Sequence, residues 1–189
     1  MADVNRRWIL SVLGVCLVLA FAALGRWQLG REDSTRLQLA EAAAALAAPA
    51  QALGPASRQA GTAPRRVVGT GFFMPTPRLL LDNQRRGQRV GMRLYCGFQP
   101  EAGQPLLVDM GWLALAPNRA LPGAACPVGE FDLAGLLVPP PAVGLPMGPG
   151  LVEQRDGLGW LATRLETDAV ATAWKLEGPL AARVLRLDP

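Results

Sequence analysis

Histidine is absent from all 189 residues. That excludes a Ser-His-Asp triad or a Cys-His pair, and any histidine-ligated zinc, copper or haem within the chain. Three cysteines remain. Cys16 lies in an apolar run and reads as a small core-type residue. Cys96 and Cys126 form no CxxC or CxxxC pattern, so no metal site is expected. They could pair in an oxidising compartment, but spacing alone does not show it, and the reading leans toward free thiols. The carboxylates Asp82, Asp109, Asp132, Glu153 and Asp156 raise the idea of a paired-carboxylate hydrolase. No local spacing brings a specific pair together, so no catalytic residue is assigned.

Two short constellations stand out. Trp27, Gln28 and Arg31 sit at i, i+1 and i+4, which puts Trp27 and Arg31 on one helix face. This face suits recognition of a carboxylate-bearing partner, since a guanidinium forks a carboxylate. It equally suits interfacial anchoring, with the indole at headgroup depth and the arginine on lipid phosphate. Gly111-Trp112 at a strand end could place a large ring in a pocket; core packing beside a glycine bulge is the simpler reading. Arg85, Arg86 and Arg89 could meet an acidic partner or lipid, with a solvated turn as the default.

The elements that carry these residues begin with Trp8–Leu24, a run of 17 uncharged residues (WILSVLGVCLVLAFAAL). As a helix it spans about 26 Å, against roughly 30 Å of hydrocarbon. Trp8 and Trp27 bracket it at interface positions, and Arg7 and Arg26 can snorkel outward. A core helix would show a polar face, which this run lacks. A cleaved signal peptide is the sharper rival, with Arg6 and Arg7 as its basic start and Ala20-Phe21-Ala22 as its cleavage site. The apolar run, however, passes through that site and exceeds the usual length. An uncleaved anchor over residues 1–30 is therefore expected. Arg6 and Arg7 before the helix and Arg26, Arg31 and Arg36 after it do not fix orientation. A short tail and a long following domain favour a cytoplasmic N-terminus and a periplasmic domain at the plasma (inner) membrane.

Residues 31–48 read as a membrane-proximal helix, continuing from or hinged at Gly30 and stopped by Pro49. Residues 49–64 read as a linker, and residues 65–189 as one mainly β extracytoplasmic domain. Its expected strands are Arg65–Phe73, Arg78–Asp82 (closed by a polar NQRRGQR turn), Val90–Phe98, Pro105–Leu115, Phe131–Val138 and Leu180–Leu187. A hairpin, Leu151–Arg155 with Trp160–Arg164, is expected around Asp156-Gly157. Thr167–Trp174 reads as a short helix with Thr167 or Asp168 near its N-cap. Pro139–Gly150 reads as an exposed loop. With 17 prolines and 21 glycines, a helical bundle is excluded. The fold class is α+β: a transmembrane helix plus a mainly antiparallel twisted sheet or small open barrel. One sheet face needs a cover, either the membrane-proximal helix or the helix near Trp174. The net charge of +4 rests on 19 basic residues, only one of them lysine. Arginine suits a lipid headgroup surface. Without a basic run interleaved with aromatics, no nucleic-acid partner is expected.

Three segments together resemble the surfeit locus protein 1 family, the cytochrome c oxidase assembly factors. Leu24-Gly25-Arg26-Trp27-Gln28-Leu29-Gly30-Arg31 is similar to that family's LGxWQxxR motif. Gly71-Phe72-Phe73 followed by Arg78–Leu81 is similar to its G-x-F and leucine-rich strand. Pro105–Trp112 (PLLVDMGW) is similar to its LVNRGW strand, with Asp109 and Met110 in place of Asn-Arg. The resemblance implies a non-enzymatic, membrane-anchored assembly factor for a haem–copper oxidase, assisting haem a insertion into the catalytic subunit. Implied partners are membrane lipid and oxidase subunit I or its assembly intermediates. Partner-contact candidates are Trp27, Gln28, Arg31, Gly111 and Trp112, with a haem propionate as one target of Arg31. Family members that bind haem use a histidine of the membrane portion, and that role does not carry over here. No intrinsic cofactor is expected, only transient haem a held with a partner. The family's second membrane helix would begin where this sequence ends, and the chain is read as lacking it. The contrasting class is an extracytoplasmic enzyme or cell-envelope binding protein on the same anchor.

Overall fold

A computed structural model describes residues 2–142, 148–154 and 159–187, with side chains from Trp8 onward. The chain divides into two compact units, Met1–Ala43 and Ala44–Pro189. In the first, helix α1 (Ala2–Ala47) runs through Gly30 without a break. Alanine, leucine, glutamate and arginine on either side propagate it, and no side chain crowds Gly25 or Gly30. Part of α1 is long and apolar enough to cross a membrane, and none of that stretch is buried by the protein.

Among the described residues the second unit has nine strands: β1 (Gln51–Ala52), β2 (Arg65–Phe73), β3 (Arg78–Arg86), β4 (Arg89–Pro100), β5 (Leu106–Ala114), β6 (Gly129–Val138), β7 (Leu151–Glu153), β8 (Gly159–Ala162) and β9 (Val184–Leu187). Helices α2 (Leu53–Ser57) and α3 (Thr167–Ala173) complete it. The strand order is β1-β2-β6-β9-β5-β4-β3-β8-β7, and β2 also pairs with β4. That last pairing closes a ring. The β4 strand carries β3 along its first half and β2 along its last three residues, Phe98–Pro100. The ring β2-β6-β9-β5-β4 therefore returns on itself as a small barrel, with β3, β8 and β7 as an open flap. Most pairings are antiparallel; β1 with β2, β3 with β8 and β5 with β9 are parallel.

Strand alternation sorts the core into two clusters. Leu80, Leu94, Cys96, Phe98, Leu106, Val108 and Leu185 face the inside of the ring. Their neighbours Leu79, Leu81, Tyr95, Leu107 and Val184 face the other way and pack under α3 with Val170, Ala171 and Trp174. The helix near Trp174 is thus the cover the second face needs.

Several expectations change. Residues 49–64 are not a bare linker: β1 adds to β2, and α2 buries Leu53, Ala56 and Ser57. Leu53 occupies the space that a Cβ on Gly69 would fill, 2.7 Å away; burial outweighs the Pro/Gly-rich composition. The NQRRGQR turn is mostly strand. The β3 strand continues to Arg86 through a bulge, with Asn83 at φ 56°, and the turn shrinks to Gly87-Gln88 with Gly87 at φ 61°. The last strand starts at Val184 rather than Leu180; Ala181 N–H instead donates to Pro105 O at 2.7 Å. The N-cap of α3 is Glu166, without a side-chain cap. The β7–β8 hairpin forms; its Asp156-Gly157 turn lies outside the described residues.

Cys96 and Cys126 are joined in a disulfide. This corrects the reading of free thiols: sheet pairing brings the β5–β6 connection back across β4, to a Cα–Cα distance of 5.6 Å.

Candidate functional site

In the first unit, Trp27, Gln28 and Arg31 are all solvent-facing on α1. The Arg31 guanidinium lies 5.9 Å from the centre of the Trp27 ring, a cation–π distance. Ser34 and Thr35 hydroxyls donate to the Arg31 carbonyl at 2.8 and 3.0 Å. One turn on, Glu32 and Arg36 pair at 2.6 Å. A stacked cation and indole thus sit on one exposed helix face.

In the second unit, Gly111 and Trp112 are held by a bulge. The β4–β5 register passes from Leu94–Gly111 to Tyr95–Asp109, leaving Met110 as the extra residue. Gly111 takes φ 108°, a conformation in which glycine avoids the side-chain clash. Its N–H donates to Asp109 Oδ1 at 3.0 Å, so Asp109 closes the bulge as an Asx turn does. The bulge directs Trp112 onto Gly91, where an added Cβ would lie 2.5 Å from the indole ring. The Trp112 indole N–H donates to Gln84 O at 2.8 Å, clasping the β3 bulge. Trp112 is mostly covered this way and keeps a smaller part of its surface toward solvent.

The sequence reading missed what surrounds this clasp. Asp109 is buried, with its side chain 1% exposed, and its Oδ2 pairs with Arg93 of β4. Arg186 Nε of β9 stands 3.9 Å from the same oxygen and is over half exposed. Tyr95, the cross-strand neighbour of Asp109, is fully buried. Burial first, then the Asp109 charge, pushes the Tyr95 phenol pKa upward against the pull of Arg93 and Arg186. The cluster therefore carries one carboxylate between two guanidiniums, beside a tryptophan face. It can receive a further carboxylate at Arg186 but has no free base. The visible signal was the Asp in LVDMGW, an acid where the motif has a neutral amide.

Of the other candidate acids, Asp156 lies outside the described residues and the rest stand apart. The Thr70 hydroxyl bonds Asp132, and Asp82 Oδ1 accepts from Asn83 N–H at 2.7 Å. Glu153 lies on β7 opposite Trp160. Among the described residues no three His, Cys, Asp or Glu side chains group together. Arg85, Arg86 and Arg89 are exposed at the β3–β4 hairpin tip, the solvated turn expected of them. A cleft of about 300 Å³ lies between Met74–Arg78 and Gly123–Val128, beside Cys126. Arg78 Nη1 fastens its far wall, donating to Pro122 O and Ala124 O at 2.8 and 3.0 Å. As to haem ligation, both domain cysteines are consumed in the disulfide and the single tyrosine is fully buried. None of these three can offer an axial position as folded.

An apolar helix fit to span a membrane, joined to a small mixed β-barrel domain, defines the class as a membrane-anchored β domain. The family model described as the SURF1 family matches residues 15–189. The chain belongs to that family, the surfeit locus protein 1 group of cytochrome c oxidase assembly factors. No curated protein matches it.

Proposed function

We propose that this chain assists insertion of haem a into the catalytic subunit of a cytochrome c oxidase, acting as a docking partner rather than an enzyme. The N-terminus is cytoplasmic and the domain periplasmic, at the inner membrane. Haem a is cargo here, held transiently with the partner: this chain contains no histidine, so any histidine axial ligand comes from the partner. The observation that carries the reading is the Trp27–Arg31 pair, exposed with the guanidinium 5.9 Å from the indole centre directly after the apolar run. At that depth it can meet both lipid and an integral-membrane subunit. Gln28 extends the same surface, and the solvent-facing part of Trp112 with Gly111 serves a periplasmic contact.

Two conservative changes separate recognition from anchoring. Trp27→Tyr keeps an amphipathic ring at headgroup depth. Arg31→Lys keeps the charge but loses the planar fork that binds a carboxylate at two points. Both variants are expected to insert and fold normally, while Arg31→Lys lowers the haem a absorbance of oxidase in membranes of a complemented deletion strain. An unchanged haem a signal on deleting the gene would refute the assembly role. Reduction on deletion, with full rescue by Arg31→Lys, would keep the role and reject Arg31 as the recognition residue.

A further inference from the structure

Arg183 is the largest fully buried side chain of the domain, with 1% of its surface exposed. It immediately precedes β9, and Arg65 opens β2; β6 runs between these two strands. Of the Arg183 guanidinium only Nη2 has a partner, donating to the Ala63 carbonyl. Nε and Nη1 are buried and have no hydrogen-bond partner among the described residues. Burial, and then the charge of Arg65, pulls the Arg183 pKa down, and no carboxylate opposes them. Arginine does not deprotonate in proteins, so a buried guanidinium beside a second cation lacks the counter-charge that buried charges require. Orphaned buried donors of this kind call for an explanation, and a bound anion supplies the missing charge as well as the missing acceptors.

We propose that Arg183 and Arg65 form a binding site for a phosphate oxyanion. Two cations without an acid match a dianion, whereas a single carboxylate would leave one charge unbalanced. Residues 58–63 are exposed and touch both cations. Their fixed points are the Ala63 carbonyl under Arg183 and the Gln59 side chain on Arg65. Gly61 at φ 133° supplies a backbone freedom that other residues lack. The phosphate can come from solution or from a lipid headgroup, and the two sources separate experimentally.

The test uses the full chain in uncharged detergent micelles, with thermal unfolding of the domain followed at constant ionic strength. In one arm inorganic phosphate replaces chloride. In the other, phosphatidate is doped into the micelles without free phosphate. The wild-type midpoint is expected to rise saturably by several degrees in at least one arm. A rise with soluble phosphate assigns the free anion; a rise with doped micelles alone assigns the headgroup. Arg183→Met should abolish the rise, and Arg65→Gln should raise the half-saturating concentration about tenfold. In chloride, Arg183→Met should melt no lower than wild type, because it removes an unpaired buried charge. No rise in either arm overturns the site, as does an unchanged response in either variant. Arg183→Met melting well below wild type in chloride also overturns it, since the guanidinium would then already be satisfied.

Discussion

Reducing the Cys96–Cys126 bridge releases a loop with a sequence separation of 30 residues. Loop-closure entropy for that length corresponds to about 3.6 kcal/mol. The loop keeps other tethers after reduction, the Arg78 bonds to Pro122 O and Ala124 O, so the net loss should fall at about 2–3 kcal/mol. For a domain of this size that is a drop of roughly 5–10 °C in the unfolding midpoint. Thermal unfolding of the full chain in uncharged micelles, with and without reductant, measures it directly. Reduced wild type retains both sulfur atoms in place and isolates the cross-link. A Cys96→Ala/Cys126→Ala variant should lose slightly more, because Cys96 is fully buried and truncation leaves a small void. A reduced protein within about 0.5 kcal/mol of the oxidised one, the usual size of a neutral change, would refute the reasoning. The same bond reports on compartment. Thiols trapped by rapid alkylation of intact cells should show Cys96 and Cys126 oxidised, because disulfides persist outside the reducing cytosol. Full alkylation of both would contradict a periplasmic domain.

Asp109→Asn should preserve the Asx contact to Gly111 but remove the charge facing Arg93 and Arg186. Both arginines retain solvent contact, so the cost should be about 1–2 kcal/mol rather than the larger figure for a fully buried pair. Denaturant unfolding measures it, and an Asn variant as stable as wild type would show that the pair contributes nothing. Tyr95, the only tyrosine, should resist ionisation while the domain is folded, because burial raises its pKa. A raised folded pKa means stability is complete below about pH 10 and declines as pH climbs beyond it. Absorbance at the phenolate band should therefore rise together with unfolding. Titration of a folded domain near the ordinary tyrosine value would disprove the burial argument.

What was legible in the sequence was local. Arg65–Phe73 matches β2 to the residue, because turn signals bracket an apolar run on both sides. The i, i+4 relation of Trp27 and Arg31 needed only helical spacing, and the glycine bulge before Trp112 followed from a glycine inside a strand. Contacts made through sheet pairing were not legible. The β9 strand inserts between β5 and β6, and β8 pairs in parallel with β3. Four-residue strands carry no mark of their neighbours. The departure of Asp109 from the LVNRGW pattern illustrates the limit. Read in the chain, it is an unexplained acid in an apolar strand, a burial that an unpaired carboxylate does not tolerate. In the fold, Arg93 arrives from β4 and Arg186 from β9, where Asp109 is its direct register partner. An amide at this position would close the same bulge without needing either arginine. The acid instead ties β4, β5 and β9 together through one side chain, with Arg93 the cross-strand partner of Trp112. A departure from the motif is thus what assembles the domain's charged cluster.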